Sequence, residues 1–452
     1  MDILVSMVIL SYNKMDYTRG CLESIRSYTK NVSYEIIVID NGSDDDTIQY
    51  LKEQKDIQLV LNEVNKGFAG GCNQGIQAAK GKYILLLNND TIVTKNWLFN
   101  MVSLLENNDD IAMTGPLTNA TVGKQMIEVP YGDDMEKMQR FAENIALQEC
   151  NPWRTLRLVA FCLLIRRSVI DEIGMLDEKF VVGNYEDDDF NIRMLLADKK
   201  AYICRNSFIH HFMNVSFQQK DMKREAIKQK NKEYLEEKWD SMDWNHYADF
   251  NKYMLEKIVQ HQGRKILHIG CGIGALEIEL KDRDEQYYIE GVEEHPVRKR
   301  IAVKFLDKMC SYESLEENRN SQETYDVIII EGMMEKKGIE LLDVISSYRN
   351  THTLILLRVF NINHITTFEK LLTGDVGGKL LCAVSSSFRY HYGRELCDDI
   401  KEKGYDIIEV REVIKSFSSR QQEIYECNSK WLGENADVKV YNRIYIIKMN
   451  TG

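Results

Sequence analysis

No excess of positive charge runs through this sequence: 58 Lys and Arg stand against 70 Asp and Glu, a formal charge of -12. The two signs are interspersed, which excludes nucleic acid or an anionic membrane surface as the main partner. An anionic substrate is still compatible where a metal or a local Lys or Arg receives it. No apolar run approaches the roughly 18 residues of a membrane span. The opening stretch Met1–Lys14 lacks the cationic region and small-residue cleavage site of a secretory signal. No CxxC pair occurs among the ten cysteines, and Cys162, Cys204 and Cys310 lie inside apolar runs. They read as buried thiols, and the expected location is cytoplasmic. Internal repeats and low-complexity segments are missing too. What is present is globular: 44% hydrophobic and 10% aromatic residues over 452 positions. That length exceeds one ordinary core and fits two domains of roughly 200 residues each.

The fold class read from the pattern is α/β. In the first half, Leu4–Leu10, Glu35–Asp40, Gln58–Leu61 and Lys82–Asn88 form β-branched runs separated by amphipathic stretches, which predicts a mostly parallel sheet with covered faces. From Phe217 to Gln262 the composition turns to Lys, Glu, Gln and Asn with isolated aromatics and no proline, as in a solvated helical connector. Beyond it, Lys265–Ile269, Tyr287–Val292, Tyr325–Ile330, Thr353–Leu357, Ile407–Val410 and Ile444–Lys448 repeat the strand rhythm. The expected division is 1–217, a connector 218–262, and 263–452.

Four consecutive carboxylates, Glu186 to Asp189, follow Tyr185 and open a helical pattern, and the pair His210-His211 comes soon after. Charges this dense repel one another and need a cation or a catalytic task. Asp189 and Arg193 stand at i and i+4, a spacing suited to an ion pair. Asp188 reads as a solvated first-turn residue stabilised by the helix dipole. Elsewhere the strand ends carry polar residues: Ser11-Tyr12-Asn13, Asp40-Asn41-Gly42-Ser43, and Asn88-Asn89-Asp90. Asp40 is placed to accept from a base or ribose, although Asn41, Ser43 and Asp44 also suit turns and helix caps. Between these strand ends runs the glycine-rich stretch Asn65 to Gly75, which allows close approach to a ligand. Trp153 and Arg154 are acceptor-side candidates, with core packing the alternative for Trp153.

With Gly115-Pro116, Asn119, Phe161-Cys162 before Arg166-Arg167, and Gly174-x-Leu176-Asp177, these pieces make residues 1 to about 240 resemble a family 2 glycosyltransferase of the GT-A fold. The resemblance implies an inverting transfer of sugar from a nucleotide-diphosphate donor, UDP- or dTDP-linked, to a glycan, lipid-linked or protein acceptor. It makes Asp187 the base, oriented by Glu186. Ser11, Asn13, Asp40, Asn65, Gly70, Asn73, Asn88 and Asn89 become nucleotide-sugar contacts. Asp90 and His211 become ligands of a divalent cation, Mn or Mg, with Asn88 standing where the family usually has an acid. His210 is the alternate ligand, because adjacent strand residues face opposite ways.

In the second half, the strand Lys265–Ile269 runs into Gly270-Cys271-Gly272-Ile273-Gly274, and Glu293 ends the next strand 19 residues after Gly274, where a carboxylate can take ribose hydroxyls. Together with Tyr325 to Glu331, and with Phe388 to Leu396 and Gly404 to Ile408 further on, this resembles a class I S-adenosylmethionine-dependent methyltransferase of Rossmann-like fold. The resemblance implies that Gly270, Gly272, Gly274 and Glu293 bind S-adenosyl-L-methionine, and it offers His391 as a base or acceptor contact. The chain departs from that family at His268, where an acid is usual, and around Ser311. The combined expectation is a bifunctional enzyme that transfers and then methylates a sugar. The alternative is a glycosyltransferase whose second domain is a non-catalytic docking or assembly module.

Overall fold

The computed structural model describes residues 3–213, 222–320, 322–331, 337–360, 397, 400–414 and 440–449. His391 and the segment 388–396 lie outside the described residues, as does Phe217. The chain divides into two compact units, Met1–Asp249 and Phe250–Gly452.

The first unit carries strands β1 (Val5–Ser11), β2 (Tyr34–Asp40), β3 (Ile57–Leu61), β4 (Tyr83–Asn88), β5 (Thr91–Val93), β6 (Ile111–Thr118), β7 (Trp153–Thr155), β8 (Cys162–Arg166) and β9 (Lys200–His211). Its helices are α1 (Met15–Tyr28), α2 (Thr47–Glu53), α3 (Gly67–Ala78), α4 (Trp97–Glu106), α5 (Met135–Ala146), α6 (Arg167–Ile173), α7 (Glu186–Leu196), α8 (Met222–Lys238) and α9 (Trp244–Tyr247). The sheet order is β3-β2-β1-β4-β8-β6-β9-β5, with β7 on β9. Strands β1 to β4 are parallel, whereas β8, β5 and β7 run against their neighbours. The central strands β1 and β4 are mostly apolar and buried on both faces, as expected where helices cover both sides of a parallel sheet. Met7, Ile9, Leu85, Leu87, Trp97 and Leu105 form part of the core on one side.

The glycine-rich stretch is mostly helix, not loop. α3 begins at Gly67, where φ is +76°, and Gly71 and Gly75 lie one turn apart against β1. A Cβ on Gly71 would collide with Leu10, and one on Gly75 with Val8. These glycines serve close helix–sheet packing.

The region expected to be a solvated connector is divided, and much of it is packed. Asn231, Leu235 and Trp244 are buried within the first unit. Lys252–His261 (α10) belongs to the second unit, where Met254, Leu255 and Ile258 pack into a core with Ile266 and Ile289.

The second unit contains strands β10 (Lys265–Ile269), β11 (Tyr288–Val292), β12 (Lys308–Cys310), β13 (Tyr325–Glu331), β14 (Arg349–Phe360), β15 (Tyr405–Ile414) and β16 (Val440–Met449). With α10 it has α11 (Ala275–Arg283), α12 (Pro296–Ala302), α13 (Tyr312–Glu317) and α14 (Lys337–Ile345). The order is β12-β11-β10-β13-β14-β16-β15, and β16 is antiparallel to both of its neighbours. Strand order reverses between β10 and β13. Open α/β sheets hold ligands in the crevice such a reversal creates. Gly270 (φ +81°), Gly272 (φ +60°) and Gly274 (φ +86°) make the turn beside it. At Gly270 only glycine fits, since a Cβ would lie 2.5 Å from the Glu331 carbonyl oxygen.

Candidate functional site

Strand pairing builds the first corner of the site. Asp90 sits between β4 and β5, and β5 pairs antiparallel with the end of β9 so that Thr91 faces His211. The Asp90 carbonyl accepts from Phe212 N–H at 3.0 Å. His211 Nε2 then lies 3.2 Å from Asp90 Oδ1. The other ring nitrogen, Nδ1, is 2.8 Å from the Ala120 carbonyl, and Asn119 brackets the His211 backbone at 2.8 and 3.1 Å. A carbonyl only accepts, so Nδ1 carries the proton and Nε2 is left to bind a cation, the arrangement typical of ligating histidines. One imidazole nitrogen with one carboxylate oxygen suits Mn²⁺ better than Mg²⁺, which prefers oxygen alone. Among the described residues no third His, Cys, Asp or Glu joins the pair. A bound ion would draw its remaining ligands from substrate and water.

His210 faces the other way. Its Nδ1 is hydrogen-bonded to Tyr131 Oη at 2.9 Å and its ring packs edge-on to Phe212. Burial, with the neighbouring His211 as a lesser cause, holds it below the ordinary histidine pKa. Strand alternation thus separates the two histidines, and only His211 meets Asp90.

The strand ends of β1 and β2 form a second, hydrogen-bonded corner. Asn13, at φ +54°, receives Asp44 N–H on its side-chain oxygen and gives its own N–H to Ser43 Oγ, both at 2.8 Å. Asp40 is fully buried and accepts from Ser43 N–H at 3.0 Å and Ser43 Oγ–H at 2.6 Å. Asn65 Oδ1 accepts from Asn41 Nδ2 and from Gly67 N–H, fixing the entry to α3. Ser11 Oγ and Asn89 Nδ2 meet on Thr18 Oγ1, at 3.1 and 2.9 Å. Asn88 closes β4, with its N–H on the Phe161 carbonyl. Asn73 does not fit the contact role expected of it. Its oxygen takes Leu176 N–H, and its amide protons go to the Leu176 carbonyl and Glu178, so it ties α3 to 176–178. Gly70 lies on the same helix, where a Cβ would press on Lys66 at 3.2 Å.

The third corner is the start of α7. Of the four carboxylates only Asp187 keeps partial exposure. Its Oδ2 accepts from Ala160 N–H at 3.2 Å and its Oδ1 from Asp188 N–H at 2.9 Å. The next residue, Phe161, stacks on His211 with ring centres 5.1 Å apart. One dipeptide, Ala160-Phe161, therefore links Asp187 to the Asp90–His211 corner. Glu186 is buried, and among the described residues its Oε2 has no hydrogen-bond partner. Burial, reinforced by the Asp187 charge, pushes its carboxyl well above the usual range.

Asp188 is not the solvated bystander expected. It is 2% exposed, with Arg157 Nη2 at 2.7 Å and Trp244 Nε1 at 2.8 Å on its two oxygens. Burial pushes it up to about 6, against the pull of Arg157. Asp189 is held by Arg193 at 2.9 Å, Lys238 at 2.8 Å and Trp239 Nε1 at 3.0 Å. Arg157, Lys238, Trp239 and Trp244 escaped the sequence reading. The available signal was the pair of tryptophans in an otherwise charged stretch.

Trp153 and Arg154 pair with Ile203 and Tyr202 on β9, away from its His211 end. β7 sets Trp153 opposite Ile203, eight residues along β9 from His211. The Arg205 guanidinium lies over the Trp153 ring, 4.0 Å from its centre.

In the second unit, Glu293 Oε1 accepts from His295 N–H and Arg298 Nη2, both at 2.9 Å. His268 is buried, with Nδ1 bonded to Glu277, and its Nε2 lies 4.0 Å from Glu331, which pairs with Arg358 at 3.0 Å. Burial opposes a charge on His268, but Glu277, with Glu331 and Glu293, outweighs it and raises the pKa.

Residues 6–174 match the family model described as Glycosyl transferase family 2. An uncharacterized glycosyltransferase of Haemophilus influenzae is 34% identical over 126 residues, 27% of this chain and 39% of that protein. Glycosyltransferase GlyG of Streptococcus pneumoniae serotype 4 is 26% identical over 222 residues, 46% of this chain and 71% of that protein. The Escherichia coli UDP-Glc:alpha-D-GlcNAc-diphosphoundecaprenol beta-1,3-glucosyltransferase WfaP is 36% identical over 106 residues, 23% of this chain and 41% of that protein. The chain thus spans about two fifths of the Haemophilus and Escherichia relatives. Among the described residues no helix is long and apolar enough to cross a membrane.

Proposed function

We propose, on the premise that residues 6–174 are a family 2 glycosyltransferase domain, that the first unit is a GT-A-type enzyme transferring a sugar with inversion from a nucleoside-diphosphate donor. The observation that supports this is the Ala160-Phe161 link: Ala160 N–H bonds to the partly exposed Asp187, and the Phe161 ring stacks on His211 of the Asp90–His211 pair. Displacement at an anomeric carbon needs a base at the attacking hydroxyl and positive charge at the departing diphosphate. Asp187 takes the hydroxyl proton while that oxygen forms the new bond and the old bond to phosphate breaks. Ala160 N–H and Asp188 N–H fix the carboxylate. Asp90 and His211 Nε2 would hold the divalent cation, which supplies charge neutralisation at the diphosphate. Ser11, Asn13, Asp40, Asn65 and Asn89 shape the wall against which the nucleotide lies. The WfaP relative, named for a UDP-sugar donor and a lipid-diphosphate-linked acceptor, supports a UDP-sugar and a lipid-linked or free glycan as the first pair to test. Incubating the full chain with a panel of nucleotide sugars and Mn²⁺ tests the reading: release of nucleoside diphosphate from at least one is expected.

For the second unit, the doubly wound strand order and the Gly270–Gly274 turn support a nucleoside-binding Rossmann-like module. The residues fit S-adenosyl-L-methionine only in part. Glu293 suits a ribose, but the ligand's ammonium and sulfonium are cations, and a histidine, His268, stands where the methyltransferases this unit resembles carry an acid. His268 favours the docking or assembly reading. Calorimetric titration of the full chain with S-adenosyl-L-methionine is expected to show no binding. Tight binding would return the unit to catalysis.

A further inference from the structure

Immediately before the α7 carboxylates the backbone takes an unusual path. Val182, Gly183, Asn184 and Tyr185 all have positive φ, at 67°, 138°, 78° and 75°. A β-branched valine in the left-handed region is a genuine outlier, and such conformations persist only where the surroundings enforce them. Here the enforcement is visible. Asn231 on α8, 4% exposed, directs Nδ2 at three carbonyls of this run, Val181 and Gly183 at 3.0 Å and Asn184 at 3.3 Å. The Val182 carbonyl is taken from the other side by Phe68 N–H at 3.1 Å. Surrounding carbonyls accept only, so the carboxamide must present its NH₂, and no carboxylate or apolar side chain of that size can replace it.

We propose that Asn231 is a positioning residue for sugar transfer: it holds the left-handed run 182–185, whose end directs Asp187 at its substrate. The idea rests on the reading of Asp187 as the base. A turn released from this clamp relaxes toward ordinary φ values, and the carboxylate that follows it moves with the turn. Misplacement of a reacting group by about 1 Å costs on the order of 10²-fold in rate. α8 lies outside the 6–174 family match, so nothing in that match assigns Asn231 a role.

Two measurements on the full chain test this. The first needs no activity: Asn231→Ala and Asn231→Asp should speed amide hydrogen exchange within 182–188 while leaving the β1 and β4 amides unchanged. Exchange at wild-type rates would overturn the clamp. The second is donor turnover, where both variants should lose about 10²-fold in kcat with the donor KM unchanged. Adding Val182→Gly to Asn231→Ala should recover much of that loss, because glycine takes the positive φ without strain. Unchanged kcat, or a loss that follows a global fall in Tm and is not rescued by Val182→Gly, would overturn the positioning role. If Asp187→Asn retains full turnover, the base assignment fails, and the exchange result still reports on the clamp separately.

Discussion

Asp187→Asn is expected to lower donor turnover by about 10²- to 10⁴-fold, the range general-base catalysis contributes, with nucleotide affinity and Tm little changed. The substitution is isosteric. The side-chain oxygen it keeps can accept from Asp188 N–H or Ala160 N–H, the two donors that orient the native carboxylate. What is lost is the capacity to take a proton. The three neighbouring acids cannot substitute. Asp188 and Asp189 are committed to Arg157, Trp244, Arg193, Lys238 and Trp239. Glu186 is buried, and burial with the Asp187 charge pushes its carboxyl well above the usual range. Steady-state kinetics with calorimetry of UDP binding separates the two effects. A variant that binds and turns over like the wild type would remove Asp187 from the chemistry.

Arg157→Met should destabilise the first unit by about 3–5 kcal/mol near neutral pH, the cost of leaving a buried charge without its partner. Asp188 would keep the bond from Trp244 Nε1–H. The penalty carries a pH signature. Asp188 already titrates near 6 in the fold because of burial, above the ~3.9 of an unfolded Asp, and losing Arg157 raises it further. A raised acid binds its proton more tightly when folded. Its contribution therefore favours the fold below the unfolded value and is lost as pH rises through the folded one. The Arg157→Met deficit should accordingly be large at pH 8 and smaller at pH 5, measured by urea denaturation of the full chain. A deficit independent of pH would mean that lost packing, not the stranded carboxylate, is responsible.

Much of the fold was written in local pattern. Runs such as Val5–Ser11 and Tyr83–Asn88 are apolar on both faces because helices cover both sides of a parallel sheet, and that signature needs no tertiary knowledge. The pairing of Asp90 with His211 depends on β5 meeting β9, a contact between residues 121 positions apart; sequence order marked both residues, and strand alternation alone could not choose between His210 and His211. Helix-dipole reasoning treats the first turn as exposed, whereas Arg157, after β7, and Trp244, at the start of α9, come from far along the chain to bury Asp188. Asn73 reads as a ligand contact in a glycine-rich stretch, yet tertiary packing spends its whole carboxamide on 176–178. The Lys- and Glu-rich composition of α8 hid Asn231 and Leu235, whose burial follows from one narrow face of the helix.

The most direct test of the central claim is mass spectrometry of a nucleotide-sugar panel incubated with the full chain and Mn²⁺, run beside Asp90→Ala and a chelated control. At least one donor is expected to be converted to its nucleoside diphosphate by the wild-type chain, with the conversion lost in both controls. Consumption of no donor, or consumption that survives both Asp90→Ala and chelation, would contradict it.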